Sequence, residues 1–252
     1  MKDAVSFRTR KTSIYDKKSN SPFKISRSKF FNFMSCKRCF YLDRVKGLKE
    51  PSMPGWALNV AVDELLKKEF DQYREIGKPH PYMESVDRNL IPFKHEKLDE
   101  WRENFKGVQF HHKETNLIFT GAVDDLWLDT DSNEVVVVDY KATSKNSEVT
   151  IDAEWQQGYR RQMDFYQWLL RKNGLEVSDV GYFVYCNGDK SRKKFSNMIS
   201  FKVSILEYVG NDDWVEDTIL DIKKTLDNNN IPSVNSQCKS CSYITSYQEV
   251  VN

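Results

Sequence analysis

The sequence predicts an α/β (α+β) chain, with a mixed central β-sheet flanked by helices. Three observations carry that expectation. Residues 56–75 and 154–172 place apolar side chains at helical spacing. Between them, from about residue 108 to 140, the hydrophobic period changes to two, as strands require. Two more alternating apolar runs follow at 179–186 and 199–206. The 252 residues are 39% hydrophobic and 13% aromatic, enough for one sizeable core.

Residues 1–25 are polar and rich in Ser and Lys. They are expected to form a basic, mobile N-terminal arm, with 26–252 as a single domain. Lys2, Arg8, Arg10, Lys11, Lys17, Lys18, Lys24, Arg27 and Lys29 face only Asp3 and Asp16 as counter-charges. Ser26 and Ser28 are candidate caps for one helix over residues 26–44, burying Phe30, Phe31, Phe33 and Phe40. Pro51, Pro54 and Gly55 then interrupt the chain. In the helix at 56–75, Leu58, Val62, Leu65, Leu66 and Phe70 recur at the right spacing for one buried face. Residues 79–93 carry three prolines and read as loop, and 99–105 as a short helix. Residues 117–128 read as one strand and 134–140 as the next, joined by the turn-forming run DTDSN. On the helix at 154–172, Trp155, Tyr159, Met163, Tyr166 and Leu170 share a side, and Asn173-Gly174 ends it. A last helix is expected over 213–227, followed by a polar turn.

Charge and hydropathy exclude some classes. Lys+Arg is 38 against Asp+Glu 37, so net charge neither demands nor excludes a nucleic-acid partner. No apolar run approaches the ~18 residues of a membrane span, and no signal-peptide pattern opens the chain. A cytoplasmic, reducing setting follows as the expectation, in which five cysteines read as metal ligands or free thiols.

The chemistry concentrates in VVVVDYKATSK, residues 135–145. Alternate side chains of a strand share a face, so Asp139 and Lys141 point together and Tyr140 points away. Antiparallel pairing about 129–133 brings Asp124 opposite residues near 138–139. Two carboxylates and an ammonium then converge, a set suited to metal-assisted hydrolysis. Asp124 and Asp139 are the candidate metal ligands. Lys141 is the candidate base or electrostatic partner. The competing reading is a solvated strand edge. The turn also contains D-x-D-x-N, but Glu134 and Tyr140 stand where a calcium loop needs glycine and glutamate, which excludes that site. Gln162 and Tyr166, four apart, share one helical face. Arg160 and Arg161 beside them are candidate phosphate contacts.

Together these residues resemble the PD-(D/E)XK nuclease superfamily. They look most like its RecB-type branch, which includes the CRISPR adaptation nucleases with an iron–sulfur cluster. GAVD at 121–124 is similar to the G-x-x-D motif, DYK at 139–141 to D-x-K, and QMDFY at 162–166 to Q-x-x-x-Y. SRSKFFNFMSCKRCFYL resembles the serine-and-cysteine segment that opens many of these domains. The resemblance spans residues 26–245. It implies a restriction-endonuclease-like fold. It also implies Asp124, Asp139 and the Tyr140 carbonyl as ligands for Mg2+ or Mn2+, Lys141 as catalytic, and Gln162 and Tyr166 as support for the site. One departure is plain. The branch usually carries a helix histidine four residues after a glycine, where this chain has Asn59 after Gly55. The further ligand is then Asn59 itself, a poorer donor than histidine, or Asp63, one turn on. His111 and His112 read as ordinary strand or loop residues.

Cys36-x-x-Cys39 and Cys238-x-x-Cys241 are two pairs about 200 residues apart. Two such pairs can form a four-thiolate site for zinc or for an iron–sulfur cluster. Such a site would join the N- and C-terminal segments. The resemblance implies a [4Fe–4S] cluster, although the position six residues past the late pair, where the branch has its last cysteine, holds Tyr247. Cys186 is left over as a strand thiol.

The expected activity is a metal-dependent deoxyribonuclease acting on single strands or DNA ends, in repair, recombination or phage/CRISPR-type defence. It is expected to work with a helicase or another repair or defence protein. The alternative is a catalytically weak or inactive nuclease-fold module that binds nucleic acid or a partner protein.

Overall fold

A computed structural model describes residues 7–51 and 55–251. The chain falls into two compact units. The first comprises residues 1–54, 111–120 and 213–252, and the second 55–110 and 121–212.

β1 (Phe23–Ser26) runs parallel to β4 (Leu117–Gly121), and β3 (Val108–His112) completes a three-stranded sheet in the order β1-β4-β3, of which residues 23–26, 111–112 and 117–120 belong to the first unit. The single helix expected over 26–44 is two: α1 (Arg27–Ser35) and α2 (Lys37–Arg44). Cys36 breaks it. Its backbone is extended, at φ −160° and ψ 104°, and its sulfur accepts the Cys39 N–H as a cap of α2. Phe30, Phe33 and Phe40 are buried as expected. Phe30 also packs edge-on against Phe119 and tilts onto Trp214. Trp214 opens α6 (Trp214–Asp227), which carries Val215, Ile219, Ile222 and Leu226 inward.

Lys2 and Asp3 of the expected arm lie outside the described residues, as does Pro54. Residues 7–22 make specific contacts within this unit. Thr9 donates to the Asp43 carboxylate at 2.5 Å, the Tyr15 N–H to the Arg44 carbonyl at 2.6 Å, and the Tyr15 hydroxyl to Asp227 at 2.6 Å. Past the polar turn, the C-terminal segment forms α7 (Lys239–Val251), which the sequence did not announce.

The second unit is a five-stranded mixed sheet in the order β2-β5-β6-β7-β8. Its strands are β2 (Leu90–Pro92), β5 (Asp125–Asp129), β6 (Val135–Thr143), β7 (Val180–Gly188) and β8 (Phe201–Val209). β5 and β6 form the expected hairpin, with Asp125 opposite Val138 and Asn133 at φ 61° in its turn. β6 and β7 are parallel, and parallel neighbours need a crossover. α5 (Gln157–Arg171) supplies it. The long amphipathic helix is α3 (Ala57–Ile76), and the short one is α4 (Leu98–Arg102). Val136, Val138 and Tyr140 of β6 pack in one buried cluster with Leu66 and Phe70 of α3 and Trp127 of β5. α5 covers the opposite face, where Met163 lies so close to Gly181 that a Cβ there would meet its sulfur at 2.5 Å. Leu58 and Leu65, expected in the α3 core face, are exposed.

The expected strand over 117–128 is also two, β4 and β5, in different sheets. The break falls at residues 122–124, where the Val123 N–H bonds the Trp101 carbonyl of α4 at 3.1 Å. An apolar run keeps its alternation through such a bend, so the pattern alone does not reveal it.

Candidate active site and cysteine cluster

The pairing of β5 with β6 stops at Asp125–Val138. The next residues of β6 therefore present an edge with no neighbouring strand on that side among the described residues. Asp124, in the bend before β5, reaches across and accepts the Tyr140 N–H at 2.9 Å. Its carboxylate thus replaces the missing strand. In an extended chain the N–H and C=O of one residue point to the same side, so the Tyr140 carbonyl faces the same opening. The Ala142 carbonyl, two residues on, also points there and accepts from Asn59 of α3 at 3.4 Å.

Asp139 and Lys141 project on the α5 side of β6. Asp139 is fully buried, and its Oδ1 accepts from Gln162 Nε2 at 2.5 Å. Its Oδ2 forms an ion pair with the Lys141 ammonium but receives no well-directed hydrogen bond. Burial raises the Asp139 pKa, Lys141 opposes that rise, and Asp124 adds to it. The Lys141 ammonium also lies over the Tyr159 ring, 4.7 Å from its centroid. Asn59, Val62, Asp63, Tyr140, Lys141, Ala142 and Tyr159 line a cleft of about 220 Å³ at this edge. Asp63 accepts from Lys67 at 2.7 Å, and its pKa is raised by burial and by the Asp124 charge.

Tyr166 explains the glycine of the G-x-x-D stretch. The buried Tyr166 ring lies against the Gly121 backbone, and a Cβ at 121 would sit 2.6 Å from its Cε1. Arg160 bonds the Ile151 carbonyl and, at 3.3 Å, that of Ala153, so its guanidinium braces the loop ahead of α5. Arg161 is half-buried. His111 bonds Asn116 at 3.0 Å; His112 bonds Thr115 at 2.9 Å and lies 3.2 Å from the Glu216 carboxylate of α6.

Sequence reasoning passed over three groups. Tyr159, placed with the core face of its helix, instead lines the cleft. Gln156 is fully buried and donates to the Tyr185 hydroxyl at 3.1 Å, and Tyr185 pairs with Lys141 across β6 and β7. Asp125 is the third. It is fully buried and accepts from Arg74 at 2.6 Å, from Arg102 at 2.7 Å and from the Tyr140 hydroxyl at 2.6 Å. Strand alternation after Asp124 is the signal that would have separated these two adjacent aspartates.

The other cluster lies in the first unit. The sulfurs of Cys36 and Cys241 are 3.6 Å apart, those of Cys39 and Cys238 3.6 Å, and those of Cys39 and Cys241 3.7 Å. All four lie within 4.8 Å of one another. That is far beyond the ~2.05 Å of a disulfide. Burial opposes ionisation of Cys238, but the N–H groups of Cys241 and Ser240 and the neighbouring thiols lower its pKa overall. Four converging sulfurs, one held by backbone amides, could bind a metal. Cys186 is buried in β7, apart from this group, and burial raises its thiol pKa to about 11.

A family model for the PD-(D/E)XK nuclease superfamily matches residues 55–246. The chain belongs to that superfamily. No curated protein matches it. The matched span holds the whole hairpin site and the late cysteine pair, and begins after the early pair. PD-(D/E)XK nucleases use divalent metals, and the residues of this site fit one. Asp139 Oδ2 is a buried oxygen whose partner is the Lys141 ammonium, with no well-directed hydrogen bond; Asp124 uses only one oxygen on Tyr140, and every candidate donor is a hard oxygen.

Proposed function

We propose that this chain is a metal-dependent deoxyribonuclease that hydrolyses phosphodiester bonds in single strands or at DNA ends. The observation that carries the reading is the convergence of Asp124, Asp139, Lys141 and Gln162 at the free edge of β6. Asp124, Asp139 and the Tyr140 carbonyl would hold Mg2+ or Mn2+, with Asp63 the nearest further carboxylate. When bound, such an ion supplies positive charge to a phosphoryl oxygen and makes water more acidic. Lys141 sits where it can orient the attacking water and offset charge developing on the phosphate. Gln162 fixes the Asp139 carboxylate through Oδ1, and Oδ2, which the Lys141 ammonium engages, would be the oxygen that binds the ion. Tyr159 holds the ammonium from below. Work in DNA repair, recombination or phage/CRISPR-type defence, beside a helicase, fits a nuclease without motor motifs of its own.

One observation favours a second reading, a module that binds nucleic acid with little or no cleavage. Asn59 stands where the resembled branch has a histidine, and its amide is engaged with the Ala142 carbonyl. Labelled single- and double-stranded DNA with magnesium or manganese separates the two. The nuclease reading expects metal-dependent products, reduced about 10²- to 10⁴-fold in Lys141→Ala. Binding without cleavage would favour the module, and cleavage indifferent to Lys141→Ala would remove this site from the chemistry.

For the cysteine cluster we infer one tetrahedral zinc ion in place of the [4Fe–4S] cluster that the resemblance implies. Four sulfurs about 2.3 Å from one zinc lie about 3.8 Å from each other. Three of the six separations are 3.6 or 3.7 Å, and all six lie within 4.8 Å. A four-iron cube places each thiolate on a different iron and spreads the sulfurs wider. Metal analysis of anaerobically purified protein is expected to give one zinc per chain without acid-labile sulfide. Iron with sulfide and a visible chromophore would overturn the zinc reading.

A further inference from the structure

β6 does not end at the catalytic lysine. It continues through Ala142 and Thr143, and the chain then lies against the end of β7. The Ser144 hydroxyl donates to the Gly188 carbonyl at 3.1 Å, and the Lys145 N–H to Asn187 at 2.8 Å. Lys145 therefore lies about 13 Å along the strand from Lys141, at ~3.3 Å per residue. Beyond it, residues 189–200 form an exposed connection between β7 and β8. This connection carries Lys190, Arg192, Lys193 and Lys194 against a single acid, Asp189. Lys145 and Lys202 flank it. Among the described residues none of these six cations is paired with a carboxylate at ion-pair distance, in a chain whose net charge is only +1. Asp189 is occupied locally by the N–H and hydroxyl of Ser191, at 2.8 and 2.7 Å.

Two grooves meet on this connection. One, of about 640 Å³, is lined by Lys145, Lys190 and Lys202. The other, of about 330 Å³, has an apolar floor of Leu58, Phe195, Met198, Ile199 and Phe201 under a rim of Lys190, Arg192 and Lys194. Phe195 is 70% exposed and Trp155 is 61% exposed. The Lys145 ammonium lies 5.0 Å from the Trp155 ring. Leu58 directly precedes Asn59, which lines the catalytic cleft, so this floor continues from that cleft.

We propose that the β7–β8 connection is a binding track for a single-stranded nucleic acid, with its cations on the phosphates and Phe195 and Trp155 as stacking platforms for bases. Interleaved cations and exposed aromatic rings are what an unpaired strand offers partners for: a charged backbone and free base faces. A duplex hides those faces, so it would use the cations and leave the rings idle. The proposal deepens the nuclease reading by naming the surface that delivers the strand to Lys141.

Fluorescence anisotropy of a labelled oligothymidine 20-mer tests it, using the full chain with calcium in place of magnesium. The same measurement with oligouridine and with a duplex separates DNA, RNA and paired strands. A quadruple variant, Lys190→Ala with Arg192→Ala, Lys193→Ala and Lys194→Ala, is expected to bind at least about 10-fold more weakly. Its log-affinity against log-salt slope should be shallower by about 2 to 3, at ~0.7 per lost phosphate contact on a single strand. Phe195→Ala should weaken binding about 5-fold or more and leave that slope unchanged. A control removes the same charge at Lys94, Lys97, Lys106 and Lys113 and should bind as the parent does. Circular dichroism confirms that each variant is folded. Unchanged affinity and slope in the quadruple variant would overturn the proposal. So would equal loss in the control, or tighter binding of the duplex than of the single strand. Failure of the nuclease reading reads out separately: loss of binding in the quadruple variant, in a protein that cleaves nothing, keeps the track and removes the catalysis.

Discussion

At the residue scale, Gly121 and Tyr166 constrain each other. The tyrosine ring occupies the space that any side chain at 121 would need, with its Cε1 2.6 Å from the Cβ position. The ring is buried, so it cannot yield easily. Gly121→Ala is therefore expected to cost about 1–3 kcal/mol as an overpacked contact. It should also shift Asp124, three residues on, away from the Tyr140 N–H. Denaturant unfolding measures the first effect and cleavage rate the second. Combining Gly121→Ala with Tyr166→Leu should recover part of the stability, since the smaller side chain frees the space. A double variant no more stable than the sum of its parts would separate the two residues.

At the element scale, the β5–β6 hairpin presents opposite chemistry on its two faces. Asp139 and Lys141 serve the cleft. On the other face Asp125 anchors Arg74, Arg102 and the Tyr140 hydroxyl, and Arg74 further bonds the carbonyls of Phe93 and Leu126. Removing that one carboxylate would leave two largely buried arginines with Asp71, which bonds Arg74 at 3.0 Å and Arg102 at 2.9 Å, as their shared counter-charge. Asp125→Asn is expected to destabilise by about 1–3 kcal/mol, whereas Asp124→Asn, at the opening, should spare stability and abolish metal-dependent cleavage. Thermal unfolding and activity measured on both variants check that contrast. These two aspartates also mark how much of the molecule was legible in its sequence. Alternation and turn chemistry identified the hairpin and the shared face of Asp139 and Lys141. Helical period identified α3 and α5, because those signals are local. The bend at 122–124 was not legible, since it depends on a hydrogen bond to Trp101 and a ring against Gly121, both supplied from distant sequence. The split of α1 from α2 was hidden for a similar reason: Cys36 is extended so that its sulfur can join a cluster completed 200 residues later. β1 was missed because four residues paired to a strand far along the chain leave too short a pattern to register.

At the scale of the whole chain, a metal on the four cysteines would do what local packing cannot. Cys39 and Cys238 are 199 residues apart, and nearly the entire sequence lies between them. Joining them restricts the unfolded chain far more than the folded one. By loop-closure entropy a link of this span contributes up to about 5 kcal/mol, the scale of a typical net folding stability. The cluster and the proposed metal site at the edge of β6 also belong to different compact units, the second built around the mixed sheet. Stability and chemistry are therefore expected to separate. Cys241→Ser, or removal of the ion by a strong chelator, should lower the unfolding midpoint substantially and leave little metal bound at the thiol site. Cleavage by the fraction still folded should retain its dependence on magnesium and on Lys141. The decisive measurement pairs unfolding curves with initial rates, each taken before and after chelation and again after readdition of zinc with excess magnesium. Full loss of cleavage in chelated, still folded protein that magnesium alone cannot restore would give the cysteine cluster a direct part in the reaction and overturn its assignment as a structural staple.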